Sequence, residues 1–180
     1  MDYNRSVALD TKFTFLSTIG CKAIIKHGDK ILFTREPRDH TWMPGRWGLP
    51  GGKILLNESL TELVARKIKD ETGLKCEIKG LLKVIDILMP ERNVYFFVFV
   101  ADYKSGRLDM KGKYSDGLAW KSKEEVFKLT KEDLAEYYYE EVFKDVYNNV
   151  PLVPISFIQV QPTFRDKKIQ EWMSRGTIRE

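Results

Sequence analysis

The sequence predicts an α+β fold: a mixed β-sheet lying between helices, in the manner of an α/β/α sandwich. Three observations predict it. Apolar runs of strand length recur through the chain, few helical stretches separate them, and one amphipathic helix is entered through a glycine turn.

In chain order, "TIGCKAIIKHGDKILFTRE" reads as a hairpin, with apolar runs on either side of His27, Gly28 and Asp29. "PRDHTWMPGRWGLPGG" is so rich in Pro and Gly that it is expected to be a long loop. Helical periodicity then runs from Glu58 to Thr72 and stops at Gly73, a natural C-cap. "KCEIKGLLKVIDIL" and "NVYFFVFVADY" are strand-like and are joined by a turn at "MPERN". "DGLAW" is a short strand, and the helix after it starts at Ser122. "TKEDLAEYYYEEVFKDVYNNV" is expected to form a longer helix with Thr130 as its N-cap. A composition break at "NNVPLVP" divides a body, residues 1–150, from a C-terminal extension, residues 151–180. The extension is expected to pack on or follow the body and to add a strand, "ISFIQV", and a short helix, "KKIQEWM".

The chain has 180 residues, 43% apolar and 31% charged, with a formal net charge of +4. This is an ordinary globular balance for one domain. No apolar run approaches the roughly 20 residues that span a bilayer, which argues against a membrane protein. "MDYNRSVALDTKFTF" lacks the basic-then-apolar order of a signal peptide. Two cysteines, Cys21 and Cys76, make no disulfide framework. A cytoplasmic protein with free thiols is expected. The mild positive charge suits anionic ligands such as phosphates.

The central helix carries charge where apolar residues belong. At ~100° per residue, Leu60, Leu63, Val64 and Ile68 form one stripe, while Glu62, Arg66 and Lys69 lie opposite. Glu71 falls within the stripe, Lys67 stands one turn before it, and Asp70 borders it. A carboxylate there is costly unless a cation meets it. Two cations are open: Lys67, as an i,i+4 ion pair, or a hard divalent ion held by adjacent carboxylates beside a glycine turn.

The spacing of Gly52, Glu58, Arg66, Ile68, Glu71, Gly73 and Leu74 resembles the signature box of the Nudix hydrolases. Two positions depart: Asp70 shortens a glutamate, and Lys67 reverses the charge of one. "WGLPGGK" resembles the family's usual approach to the box, and "DGLAWKSKEEV" its later acidic-then-Trp segment. The resemblance spans residues 18–129 and implies a Nudix-type α/β/α sandwich. It further implies hydrolysis of the pyrophosphate of a nucleoside diphosphate linked to another moiety, with Mg²⁺ or Mn²⁺ as cofactor. On this likeness Gly51 supplies a backbone carbonyl to the metal, Asp70 and Glu71 supply carboxylates, and Glu58 and Arg66 pair to fix the loop on the helix. Gly52 and Gly73 are structural positions of the box. Lysine at 67 cannot ligate while protonated, so a further acid must come from outside the box. The family often takes one from the loop where Asp116 lies, although an Asp-Gly turn explains Asp116 equally well. Asp70, Glu71 and Asp116 are therefore the expected catalytic carboxylates.

Lys67 is open to two readings, a partner that neutralises Glu71 or a fixed cation for substrate phosphate. Arg35, Arg46 and Trp47, with Phe33 and Trp42, are further candidates to contact the nucleotide, since arginine offers phosphate forks and aromatic rings offer stacking faces. Pro90, 16 residues past Leu74, stands where ADP-ribose-cleaving members often carry proline, and turns also recruit proline. The alternative function is a catalytically impaired domain that binds a nucleotide, RNA or protein. The tail bears Arg165, Lys167, Lys168, Arg175 and Arg179 against Asp166 and Glu171, which is the basis for RNA contact. A small nucleotide is the expected partner, and a homodimer is compatible with the sequence.

Overall fold

The computed structural model describes residues 16–40, 42–90, 92–110 and 115–160. The expected helix "KKIQEWM" and the basic tail lie outside them. Strand β1 (Leu16–His27) turns at Gly28 into β2 (Lys30–Arg35), as the hairpin reading required. β3 (Trp47–Gly48) and β4 (Gly51–Lys53) follow, then helix α1 (Leu60–Thr72), the long strands β5 (Lys75–Leu88) and β6 (Arg92–Ser105), and β7 (Gly117–Lys121). Helices α2 (Lys123–Lys128) and α3 (Tyr139–Tyr147) come last, with a 3-10 turn over Ile155–Phe157.

The sheet is mixed. β1 runs parallel to β6 along its length, and β6 runs antiparallel to β5, with Met89 N–H donating to the Arg92 carbonyl across the joining turn. On its other edge β1 pairs with β4 near Gly20–Lys22 and with β2 only at Lys26 and His27. β7 pairs with β2. Successive side chains of β1 point to opposite faces. Cys21, Ala23 and Ile25 therefore join Leu63, Val64 and Ile68 of α1 in one core, while Ile24 joins Tyr139, Val142 and Phe143 of α3 in the other. Lys22 has the same parity as Ile24 and is buried on the α3 side. Both cysteines are free, Cys21 buried and Cys76 half-buried. Among the described residues no helix is long and apolar enough to cross a membrane.

Helix α1 starts at Leu60 rather than Glu58. Ser59 caps it, accepting from Glu62 N–H, while the Glu62 carboxylate accepts from Ser59 N–H in a capping box. At the other end Gly73 adopts φ 74°, and a Cβ there would lie 2.7 Å from that of Asp109, so the left-handed cap admits little but glycine.

Three local expectations fail, each through a non-local contact. The loop before α1 contains β3 and β4, because Trp47 and Gly48 find β2 and Gly51–Lys53 find β1. The long helix expected from Thr130 begins only at Tyr139. Thr130 instead makes a turn with Asp133, and Trp47 then captures the chain: its N–H donates to the Asp133 carbonyl at 2.7 Å and its carbonyl accepts from Ala135 N–H at 2.9 Å. "ISFIQV" is not a strand. The pairing falls earlier, where Val153 and Leu81 exchange both backbone hydrogen bonds, and Ile155 and Ile158 then pack against the α1-side core.

Candidate active site

The glycine turn, the loop after it and α1 bring the box residues together. Glu58 precedes the helix cap, and its two carboxylate oxygens accept from Arg66 Nε at 2.5 Å and Nη2 at 2.8 Å. This fork closes the eight-residue gap because Glu58 stands outside the helix. Arg66 Nη2 also donates to the Lys53 carbonyl, and Glu58 accepts from Leu55 N–H, so one guanidinium pins both ends of the loop. The Arg66 guanidinium bonded to it holds the Glu58 carboxyl below its ordinary value. Asp70 is partly exposed, 3.9 Å from Arg66 Nη1.

Glu71 is buried, and each of its oxygens has a partner. Oε2 accepts from Gly51 N–H at 2.9 Å, and Oε1 lies 3.0 Å from Lys67 Nζ. Burial raises the carboxyl above its ordinary range, against the opposing pull of Lys67 and of the Gly51 amide. Lys67 passes directly beneath the turn: a Cβ on Gly52 would fall 2.6 Å from its ammonium nitrogen, so glycine there is what allows the lysine to reach Glu71. The ammonium thus occupies the space between the turn and the carboxylate.

The other expected residues divide by place. A cavity of about 690 Å³ opens beside Gly52 and Lys53, over the sheet on its α3 side, and Trp42 and Arg46 line it. Arg46 also donates to the Lys131 and Leu134 carbonyls. Arg35 and Trp47 lie outside its lining. Arg35 Nε donates to the Gly45 carbonyl at 2.9 Å, and its guanidinium sits over the Trp47 ring, bracing the loop. Phe33 is fully buried core. Asp116 tethers the end of β2: its carboxylate accepts from Arg38 N–H at 2.7 Å and its own N–H donates to the Arg35 carbonyl.

Sequence reasoning missed a second ionic group in the cavity. Lys22 of β1 and Glu136, just before α3, face each other at 3.5 Å with both side chains almost wholly buried. Glu36 lines the same cavity and pairs with His40. Burial pulls the Lys22 ammonium down, yet Tyr138 first and then the carboxylates of Glu136, Glu36 and Glu71 hold its pKa above the ordinary lysine value. Burial likewise raises the Glu136 carboxyl, opposed by Lys22. The signal available in the sequence was a lone lysine inside the apolar run "GCKAII"; its partner is remote and nothing local points to it.

The family model for the NUDIX domain matches residues 16–143. The chain is 35% identical over 94 residues to an ADP-ribose pyrophosphatase of Methanocaldococcus jannaschii, covering 50% of this chain and 53% of that one. It is 28% identical over 88 residues to an 8-oxo-dGTP diphosphatase of Proteus vulgaris, covering 48% of this chain and 77% of the other. The match to the M. jannaschii relative thus spans about half its length. A NUDIX hydrolase structure from Nitrosomonas europaea superposes with a TM-score of 0.69 over 81% of this chain and 98% of its own, at 19% identity, a likeness of fold.

Proposed function

The chain belongs to the NUDIX domain family, and from that premise we propose that it hydrolyses the pyrophosphate of a nucleoside diphosphate linked to another moiety. The observation that carries the reading is Glu71, a buried carboxylate of raised pKa under a glycine turn whose Gly52 lines a cavity of nucleotide size. The relatives' activities, ADP-ribose pyrophosphatase and 8-oxo-dGTP diphosphatase, lie within the same reaction class.

Members of the family generally use Mg²⁺ or Mn²⁺. The donors here suit such an ion only in part. Among the described residues there is no group of three or more His, Cys, Asp or Glu side chains that could hold a metal. Two adjacent carboxylates and a carbonyl do match a cation that takes its remaining ligands from substrate phosphates and water. Asp70, Glu71 and the Gly51 carbonyl would hold it, and when bound it supplies charge against the phosphoryl oxygens and acidifies a water.

The chain's own groups supply the rest. Arg46 and Lys53, at the cavity wall near the turn, take phosphate oxygens. Glu71, once Lys67 turns from it to the phosphate, accepts a proton from the attacking water. The water oxygen bonds to phosphorus, the bridging P–O bond breaks, and the leaving phosphate carries away the electron pair. Asp116, beside the end of β2, is the reserve acid for this step.

One observation favours a second reading, a domain that binds nucleotides without cleaving them: the Lys67 ammonium already satisfies Glu71. Turnover of a panel of nucleoside diphosphate-linked compounds with Mg²⁺ separates the two. Hydrolysis is expected, with a loss of about 100-fold or more in Glu71→Gln. Tight binding with no cleavage of any compound would leave the second reading standing.

A further inference from the structure

The cavity is electrically divided. Lys53, Arg46, Arg92 and Lys131 stand around it, whereas the interior surface over the sheet holds Lys22 with Glu136 and Glu36. The basic wall nearest Gly52 suits phosphates. The interior does not: an anion there would face two carboxylates, and a cation would face the Lys22 ammonium. What fits is a neutral group that accepts from one side and donates to the other.

The Lys22–Glu136 pair is built for that. At 3.5 Å it is longer than the ~2.9 Å of an ordinary N–H···O bond, and it engages one donor of the ammonium at most. An ammonium carries three N–H donors. Among the described residues Glu136 is the only ion-pair partner of Lys22; the Phe96 and Tyr139 rings lie 5.2 and 5.9 Å from its nitrogen, Tyr138, Glu36 and Glu71 act on its charge from farther off, and the buried Tyr138 hydroxyl has no hydrogen-bond partner among the described residues. Donors therefore remain for a ligand, and the Glu136 carboxylate keeps lone pairs for one. A buried ion pair is a costly way to stabilise a fold, since both charges lose their water. Phe96 lines the cavity beside them and offers a flat ring for stacking.

We infer that Lys22 and Glu136 read the edge of a nucleobase: Lys22 donates to a ring nitrogen or carbonyl oxygen, Glu136 accepts from the adjacent N–H, and Phe96 supports the ring. The inference rests on the nucleotide reading proposed above and deepens it, by placing the base over the sheet and the phosphates toward the glycine turn. It concerns binding alone, so it stands or falls independently of cleavage.

The test is calorimetric titration in EDTA with ADP, GDP, CDP and UDP, and with inorganic pyrophosphate and ribose 5-phosphate as ligands without a base. Lys22→Met would strand a buried carboxylate and could cost the fold. The double variant Lys22→Met/Glu136→Gln removes both charges with little change of shape, and Glu136→Gln alone alters only the acceptor. Thermal melting of each variant accompanies the titrations. The expected result is that at least one nucleoside diphosphate binds the wild type and loses about tenfold or more in affinity in the double variant. Glu136→Gln should change the order of preference among the four bases, and pyrophosphate should bind all forms within about twofold. The inference is overturned if no nucleoside diphosphate binds, if the double variant binds all four as before, or if it weakens pyrophosphate equally. Ribose 5-phosphate losing as much as the nucleotides would assign the group to a sugar and overturn it as well.

Discussion

Two buried lysine–glutamate pairs stand on the two sides of the sheet, and they differ in what fixes them. Lys67 and Glu71 share one turn of α1, meet at 3.0 Å, and share their site with a backbone N–H of the glycine turn. Lys22 and Glu136 come from a central strand and a remote loop, stop at 3.5 Å, and face a cavity. The first pair closes a site; the second leaves one open. The difference shows that burial alone does not assign a role to an ion pair. Its length and what lies in front of it do.

The largest effect expected from breaking this contrast comes from Arg66→Ala. Arg66 holds the loop between Lys53 and Glu58 against α1 and so supports the turn above Lys67. Loss of a charge-assisted fork costs about 2 kcal/mol, read as a fall in melting temperature. Hydrogen exchange should accelerate at Gly51 N–H, which Glu71 accepts, and remain unchanged at Ala135 N–H, which holds the loop bearing Glu136. Equal acceleration at both amides would mean that the two sides open as one unit, and the contrast would fail.

Lys67→Glu sharpens the same comparison with a smaller effect. It sets a second carboxylate beside Glu71 under Gly52, where the family resemblance places an acid. Mn²⁺ affinity, measured by paramagnetic resonance of the free ion, is expected to rise by about tenfold, and turnover with it. Unit charges ~4 Å apart interact by roughly 4 kcal/mol at an effective dielectric of 20 before desolvation is subtracted, so a change of this size is within reach. A fall in nucleotide affinity with no gain in Mn²⁺ binding would make Lys67 a phosphate ligand instead.

What could be read in the sequence follows the same division between local and remote. The β1–β2 turn, the apolar stripe of α1, its Gly73 cap and the Ser122 start of α2 depend on residues within a turn or two of one another, and all appear in the structure. The Lys67–Glu71 pair was legible for that reason, because helical spacing alone puts one above the other. Trp47 shows the opposite case. Its backbone pairing with residues 133 and 135 overrides the helical propensity of "EDLAEYYY", and nothing in that stretch announces the strand fragment that interrupts it. Glu136 sits in the interrupted segment, so its meeting with Lys22 could not be seen before the loop that carries it.

The smallest expected effect is in the pH dependence of stability. Burial raises the folded pKa of both Glu71 and Glu136, with Lys67 and Lys22 respectively opposing it. A carboxyl whose folded pKa exceeds its unfolded value keeps its proton in the native state where the unfolded chain has lost it. By linkage, stability from that group then falls as pH rises from the ordinary 4.5 through the folded value, and is level above it. Glu58 has the opposite sign: its pKa is lowered by Arg66, so its contribution is present above 4.5 and is lost as pH falls through the folded value. Melting curves from acid to neutral pH should therefore show wild type losing ground to Glu71→Gln, and to Glu136→Gln, as pH rises through this window. They should show wild type gaining on Glu58→Gln as pH rises toward 4.5. The two buried pairs make this a matched test, since both glutamates must bend the curve in the same direction despite their different geometry. If Glu136→Gln leaves the slope unchanged while Glu71→Gln alters it, the cavity pair is better hydrated than its burial indicates, and the contrast between a closed pair and an open one becomes a contrast of solvation.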